Sequence, residues 1–511
     1  MNLIHEILQN LSSQEIKRVR AQLKHGVHDF EKVGKLFDLI TRFPDESEDF
    51  YAHKLYKKEA DNSFRVTKAR LKRQLEEVLL HDKSLREYEA EYISAYLLTR
   101  KKLLQGEILM GRGAIASSKN LLEQVITTAR KFFFLEELYE ASFLLFRHAC
   151  NSMNSHELSK EVEALTELNT TRGKVEIAAI WYYQLSGKLA STTLQEHHEF
   201  EQAKNLVSEL GVIWKETQVP ITGFYYFKTL SYYAQITFDF DNAKSASETL
   251  LSLVRKEPAL LSRQREAAAL LQLAEVELRS GRSAAANQYV QETLSLYQPG
   301  EINYLITLET AFRVAFYESE ADQCKELLTQ AKDHPAYSGS RLRLGKWKYF
   351  EAAYAVQQKK YKEALMLLNE AVPVLADKSG WNIAFRLLEI IALFEAKETD
   401  LLEAKVENLK QFAKRNLEDN VLSRARFLVD LMTEWHKVNF AFEPTGQRYI
   451  SLRKEHPKPW EEIAFHPSAF ELIRFDVWLL EKGGVQNILK DYPTKSFNAS
   501  FTDEYLKENP S

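Results

Sequence analysis

Three kinds of residue spacing in this 511-residue chain could do chemistry, and each can be tested against what its reaction needs. A phosphate-binding loop needs a glycine-rich turn followed by Lys and then by a Ser or Thr that holds magnesium. In Gly339 to Lys346 the glycines stand one residue too far apart and Trp347 takes the hydroxyl position, while Gly106 to Gly111 is followed by Arg112. Both stretches are expected to be turns between helices. A metal site needs His, Cys or carboxylates that converge from fixed spacings. Glu196, His197, His198 and Glu199 form one cluster, and His148, Cys150 and His156 another. Neither has a His pair at i, i+4, and adjacent His197 and His198 point about 100° apart on a helix. No nucleophile elbow or Ser-x-x-Lys motif occurs. The expectation is therefore no metal, no cofactor and no catalytic residue, in a binding protein and not an enzyme.

The third pattern is basic. Residues 47–80 read as two helices, Ser47 to Glu59 and Phe64 to Leu80, joined at Asp61-Asn62-Ser63, whose side chains can cap the second helix. Arg65, Lys68, Lys72 and Arg73 would carry any nucleic-acid contact, as part of a regulator whose repeats sense a partner. Against this, a recognition helix gathers its cations opposite the apolar stripe, here Phe64, Leu71, Leu75 and Val78. These cations spread over a wide arc interrupted by Glu76 and Glu77, four residues after Lys72 and Arg73, the spacing of a salt-bridged solvated face. Nucleic acid is not the expected partner.

The elements that must position any site are helices. Gly (17) and Pro (12) are scarce, and a hydrophobic fraction of 45% fits an ordinary folded protein. From about residue 115 the apolar residues recur with a period of about 3.6 and break at short polar turns such as Ser280-Gly281-Arg282 and Lys378-Ser379-Gly380. With 68 basic and 72 acidic residues the net charge is −4, which gives no field to hold nucleic acid or an anionic membrane. Two cysteines, Cys150 and Cys324, cannot build a disulfide framework. No signal peptide is evident near Met1, and the most apolar stretch, Ile383 to Phe394, contains Arg386 and Glu389. A cytoplasmic protein that does not span a membrane is expected.

Residues Gly345 to Ala376 give the clearest unit: a helix Lys346 to Gln358, a turn Lys359-Lys360, and a second helix from Tyr361 through Leu368 and Ala371. The unit carries small residues at Ala352 on its first helix and at Ala364 and Ala371 on its second. The second-helix residue recurs as Ala203, Ala243, Ala286, Cys324, Ala364 and Ala404, at intervals of 40, 43, 38, 40 and 40 residues. The first-helix residue recurs as Ser231, Ala274, Ala352 and Ala392, broken by Phe312. A third small position is irregular: Leu250, Thr293, Ala331, Ala371, Gln411. Pro258, Pro299 and Pro335 follow second helices.

This pattern, over residues 115 to 415, resembles the tetratricopeptide repeat, with an interval longer than that family's usual 34 or so. The whole chain is similar to long bacterial helical-repeat proteins that open with an N-terminal helical module. The expected fold is all-α: an α-α superhelix, right-handed, of seven or eight helix pairs. The expected domains are an N-terminal helical module (residues 1–110), the repeats (111–440), and a C-terminal cap and tail (441–511), with a capping helix over Pro467 to Lys482.

In the family the first helices line a concave groove. The resemblance places Tyr225, Lys228, Tyr232, Arg313, Lys346, Tyr349 and Arg386 there, an aromatic and basic lining suited to an acidic or aromatic segment. The family's carboxylate clamp is not reproduced, because Tyr232 stands where its asparagine is expected. The implied function is a scaffold that holds a protein or peptide; packing between repeats is the other use such side chains have.

Overall fold

The computed structural model describes residues 2–24, 31–44, 46–85, 91–191, 197–370, 380–417, 423–455, 465 and 471–482. The described residues are overwhelmingly helical and include no β-strand, so the fold is all-α. The chain forms two compact units, residues 1–169 and 170–511. The first unit holds α1 (Asn2–Asn10), α2 (Ser13–Lys24), α3 (Glu31–Arg42), α4 (Glu48–Tyr56), α5 (Asn62–Leu79), α6 (Asp82–Leu85), α7 (Glu91–Gly111), α8 (Ile115–Phe132) and α9 (Leu135–Ala149). After α10 (Ser155–Ser191), the second unit holds α11 (His197–Thr217), α12 (Pro220–Ile236), α13 (Phe240–Lys256), α14 (Arg263–Arg279), α15 (Ser283–Leu296), α16 (Ile302–Tyr317) and α17 (Ala321–Asp333). It continues with α18 (Arg341–Gln357), α19 (Tyr361–Glu370), α20 (Trp381–Glu395), α21 (Thr399–Asn416), α22 (Ser423–Lys437), α23 (Phe442–Glu455) and α24 (Phe475–Lys482).

In the first unit, α4 and α5 are set by their caps. Ser47 accepts from the Phe50 amide at 3.2 Å and Asp61 from the Phe64 amide at 3.1 Å. Phe64, Leu71, Leu75 and Val78 are fully buried, packed with Val33, Leu36, Phe37 and Ile40 of α3. Gly106, expected in a turn, lies instead inside α7. A Cβ there would meet Leu122 Cδ2 of α8 at 2.9 Å, so this glycine is a point of close helix approach. The turn falls just after it, where Gly113 takes φ 79°.

The second unit repeats a pair of antiparallel helices. Within each of five pairs, α12 with α13 through α20 with α21, the turn carries a left-handed residue: Phe238, Gly281, Ser319, Lys359 and Lys397, at intervals of 43, 38, 40 and 38 residues. In each, the next amide donates to the carbonyl five residues back, as Asp239 to Ala234 (2.8 Å), Glu320 to Ala315 (2.9 Å) and Lys360 to Ala355 (2.8 Å). This is the Schellman closure, and it sets the register of every pair.

Seven residues before the left-handed residue stand Ser231, Ala274, Phe312, Ala352 and Ile390; five after it stand Ala243, Ala286, Cys324, Ala364 and Leu402. All ten are buried. The expected repeat positions therefore hold in the first four pairs and slip by two residues in the last. Ala404 and Gln411 are exposed, and Leu402 and Leu409 fill their places. Ala371 lies outside the described residues. α18 begins at Arg341, five residues before the expected start, because Ser340 caps it by accepting from the Arg343 amide at 3.2 Å. Since Ala364 is wholly buried at the closest approach of α18 and α19, Ala364→Leu should destabilise by about 1–3 kcal/mol through overpacking. A denaturant melt with an unchanged midpoint would remove Ala364 from that contact.

The helix expected over Pro467 to Lys482 is shorter. α24 starts at Phe475, residues 471–474 are not helical, and 466–470 lie outside the described residues. Val477 is buried, and Phe475, Leu479 and Leu480 join a core that runs from Ala274 to Leu480.

Candidate interaction face on the first helices

The turn register defines one stripe on each first helix, at ten, six and two residues before the left-handed residue, an i, i+4, i+8 line. It reads Lys228, Tyr232, Ile236 on α12; Leu271, Glu275, Arg279 on α14; Glu309, Arg313, Tyr317 on α16; Tyr349, Ala353, Gln357 on α18; and Leu387, Ile391, Glu395 on α20.

Charged groups of neighbouring pairs meet across the middle of this stripe. Arg313 Nη2 donates to Glu275, which also accepts from Thr310 at 2.7 Å. Lys346 Nζ lies 3.8 Å from Glu309 and 5.5 Å from the Trp381 ring centre. Burial raises the Glu309 carboxyl pKa, against the opposing pull of Lys346, Arg313 and Arg343. Burial likewise lowers that of Arg279, beside Glu275, Tyr232 and Arg313.

The other residues expected to line a groove separate into local clusters. Tyr225 is buried and stacked on Tyr182 at 4.6 Å, and burial raises its phenol pKa. Lys228 sits 5.6 Å from the Phe224 ring and 5.9 Å from Tyr182. Tyr349 has no exposed surface; its ring meets Trp381 edge-on at 5.6 Å and Phe385 at 5.2 Å, so here it is a packing residue. Arg386 lies over Phe412 of α21 at 4.5 Å, and burial lowers its pKa. Tyr232, Arg313 and Lys346 are thus brought to one charged patch, and Tyr225, Tyr349 and Arg386 are not. Glu275, Glu309 and Arg279 belong to that patch and were missed. Aligning the turns, instead of the alanines, would have found Glu275, which occupies the same repeat position as Tyr232 and Arg313.

The far part of the stripe carries polypeptide. Tyr317 donates to the Glu471 carbonyl at 2.9 Å, and its ring lies 6.1 Å from Phe465. The Leu472 amide stands at the Tyr349 hydroxyl. Trp478 Nε1 donates to Glu395 at 2.8 Å, with Lys482 3.0 Å from the same carboxylate. The segment Glu471 to Lys482 therefore crosses α16, α18 and α20 on the same side. Arg424 of α22 clamps it, bonding Glu471 at 2.6 Å and Asp476 at 3.0 Å.

On α5, Lys68 pairs with Glu48 and Lys72 with Glu76 at 3.3 Å, while Arg65 and Arg73 are exposed. Half of the cations expected to touch nucleic acid are thus paired with carboxylates of this unit. Of the residues weighed as metal ligands, His148 and His156 are exposed on α9 and α10, and Glu196 lies outside the described residues. No helix of the described residues is long and apolar enough to cross a membrane.

No family model and no curated protein matches the chain. Among solved structures it is similar to a signal transduction ATPase with numerous domains that carries a tetratricopeptide repeat sensor, from Pyrococcus horikoshii. That similarity has 12% identity and a TM-score of 0.28, covering 98% of this chain and 65% of that one. The chain thus spans about two thirds of the length of that protein. A second is the structure of Naa15/Naa10 bound to HypK-THB, with 15% identity and a TM-score of 0.27, covering 97% of this chain and 73% of that one. No residue role is carried over from either. The helices, turns and core described above define the class: an all-α helical-repeat protein.

Proposed function

We propose that the second unit is a divergent tetratricopeptide-like scaffold of the cytoplasm that binds a protein or peptide segment on its first-helix stripe and catalyses no reaction. The observation that carries this reading is the seat of the chain's own segment Glu471 to Lys482 on α16, α18 and α20, where main-chain and side-chain groups both find partners. A surface that satisfies one segment of chain offers the same kinds of group, on α12 to α16, to another. The tetratricopeptide likeness rests on the paired helices, the recurring Schellman turns and the small buried residues at closest approach.

The test is photocrosslinking in the native cell with benzoylphenylalanine placed at Tyr232 on the stripe or at Met366, which is exposed on α19. A defined adduct should form from Tyr232 and not from Met366, and its mass-spectrometric footprint should be a short stretch of the partner. Adducts of equal yield from both positions, or from Met366 alone, would remove the stripe as the binding surface.

A further inference from the structure

Arg279 ends α14 on the open part of the stripe. Among the described residues, no acceptor bonds its guanidinium, and its Nε is shielded from solvent with no partner. The carboxylate best placed to pair with it is Glu275, one turn back on the same helix. Glu275 is already committed to Arg313 and Thr310. The Nε of Arg313, on the neighbouring first helix, is also shielded and without an acceptor. Among the described residues, two guanidinium groups on adjacent helices therefore each hold a shielded Nε without an acceptor, while the Nη groups of Arg279 reach solvent.

A structural account of Arg279 exists, since a cation in the last turn of a helix is favoured by the helix dipole. That interaction is available to an arginine extended into water. It does not explain a guanidinium whose Nε is shielded without an acceptor, a desolvation that costs free energy unless an anion meets the group.

We propose that Arg279, beside Arg313, is the anion anchor of this face and takes a carboxylate side chain of an acidic peptide. The proposal rests on the peptide-binding reading above. Two observations select a carboxylate. Glu275 and Glu309 border the position, so a monoanion is accommodated where the doubled charge of a phosphate is repelled. In the same unit the seated segment is held by the same chemistry, an arginine forked onto a carboxylate, with Arg424 Nε and Nη2 on Glu471 at 3.1 and 2.6 Å. Tyr232 of α12 adds aromatic surface beside the anchor.

The experiment uses the full chain and two fluorescein-labelled dodecapeptides, one of alternating Glu and Tyr and one with Gln in place of Glu, read by fluorescence anisotropy. The Glu peptide should bind, the Gln peptide should bind about tenfold or more weakly, and Arg279→Met should lose the same factor, the worth of one charge-assisted bond. Removing a charge that no acceptor bonds should leave the melting temperature of Arg279→Met unchanged or raise it. Arg279→Gln, which keeps a polar end, should lose the same affinity, and full affinity in whichever variant keeps the native melting temperature overturns the assignment. If the Gln peptide binds as tightly as the Glu peptide, the anion anchor falls and the peptide-binding reading stands. If neither peptide binds, both fall. Displacement of the Glu peptide by millimolar inorganic phosphate but not by acetate would make phosphate the ligand and overturn the carboxylate.

Discussion

Arg424→Ala should destabilise the second unit by about 3–5 kcal/mol and free the segment Glu471 to Lys482 from the first helices. The Arg424 side chain is 10% exposed, and it meets two carboxylates that are more buried still, Glu471 at 4% and Asp476 at 0%. Truncation removes the cation and leaves both carboxylates enclosed, which is why the cost exceeds that of any surface pair. The expected signs are an earlier urea midpoint and new protease cuts within residues 471–482. Cuts appearing with no loss of stability would mean that the clamp only positions the segment.

The same cluster sets an acid response. Burial works to raise the pKa of the Asp476 carboxyl, but Arg424 and Arg474 outweigh it and hold the pKa down at about 2. A carboxylate with a folded pKa below its unfolded value of about 3.9 contributes stability that is whole above that value and is lost as pH falls through the folded one. Glu471, whose pKa burial raises despite Arg424, protonates first and leaves Asp476 as the remaining anion. Release of the segment, followed through Trp478 fluorescence, should therefore fall between about pH 4 and pH 2, and release already near pH 6 would contradict the role given to Asp476.

Phe350→Ala should cost about 3–5 kcal/mol, the usual range for an aromatic ring removed from a closed core. Phe350 has no exposed surface, stacks on Phe312 at 5.2 Å and meets Trp347 edge-on at 5.4 Å. These rings belong to successive first helices, so the cavity opens where one repeat is fixed to the next. Phe350→Leu should recover most of the loss, because much of the volume returns. Equal chemical-denaturation midpoints for Phe350→Ala and the native chain would place the ring outside the repeat contact.

Much of the fold was legible because helices advertise themselves locally. The turn at Lys359 was found from the period, and the buried Ala352 and Ala364 from residue size together with the resemblance to a tetratricopeptide repeat. The slip at Ala404 shows where that reading ends. An alanine two residues away lies about 200° round the helix, on the opposite face, yet it keeps the repeat spacing almost unchanged. The left-handed turn residue corrects this, but Phe238, Ser319, Lys359 and Lys397 are not the glycines that would mark it in a sequence. Likewise Gly106 was read as a turn because glycine breaks helices, whereas its missing side chain makes room for Leu122 of a neighbour.

By itself the sequence determined the helical class, the paired units and the absence of a charge field, since each follows from composition or from contacts a few residues apart. The tertiary structure decided which side chains share a face and which are committed. Arg313 and Glu275 stand 38 positions apart and meet across two repeats, and Glu471 reaches Tyr317 from 154 positions away. Whether Tyr349 is core and whether Arg279 has a bonded acceptor among the described residues depend on those distant partners, because ion pairing and burial are set by what arrives opposite a residue and not by its neighbours in the chain.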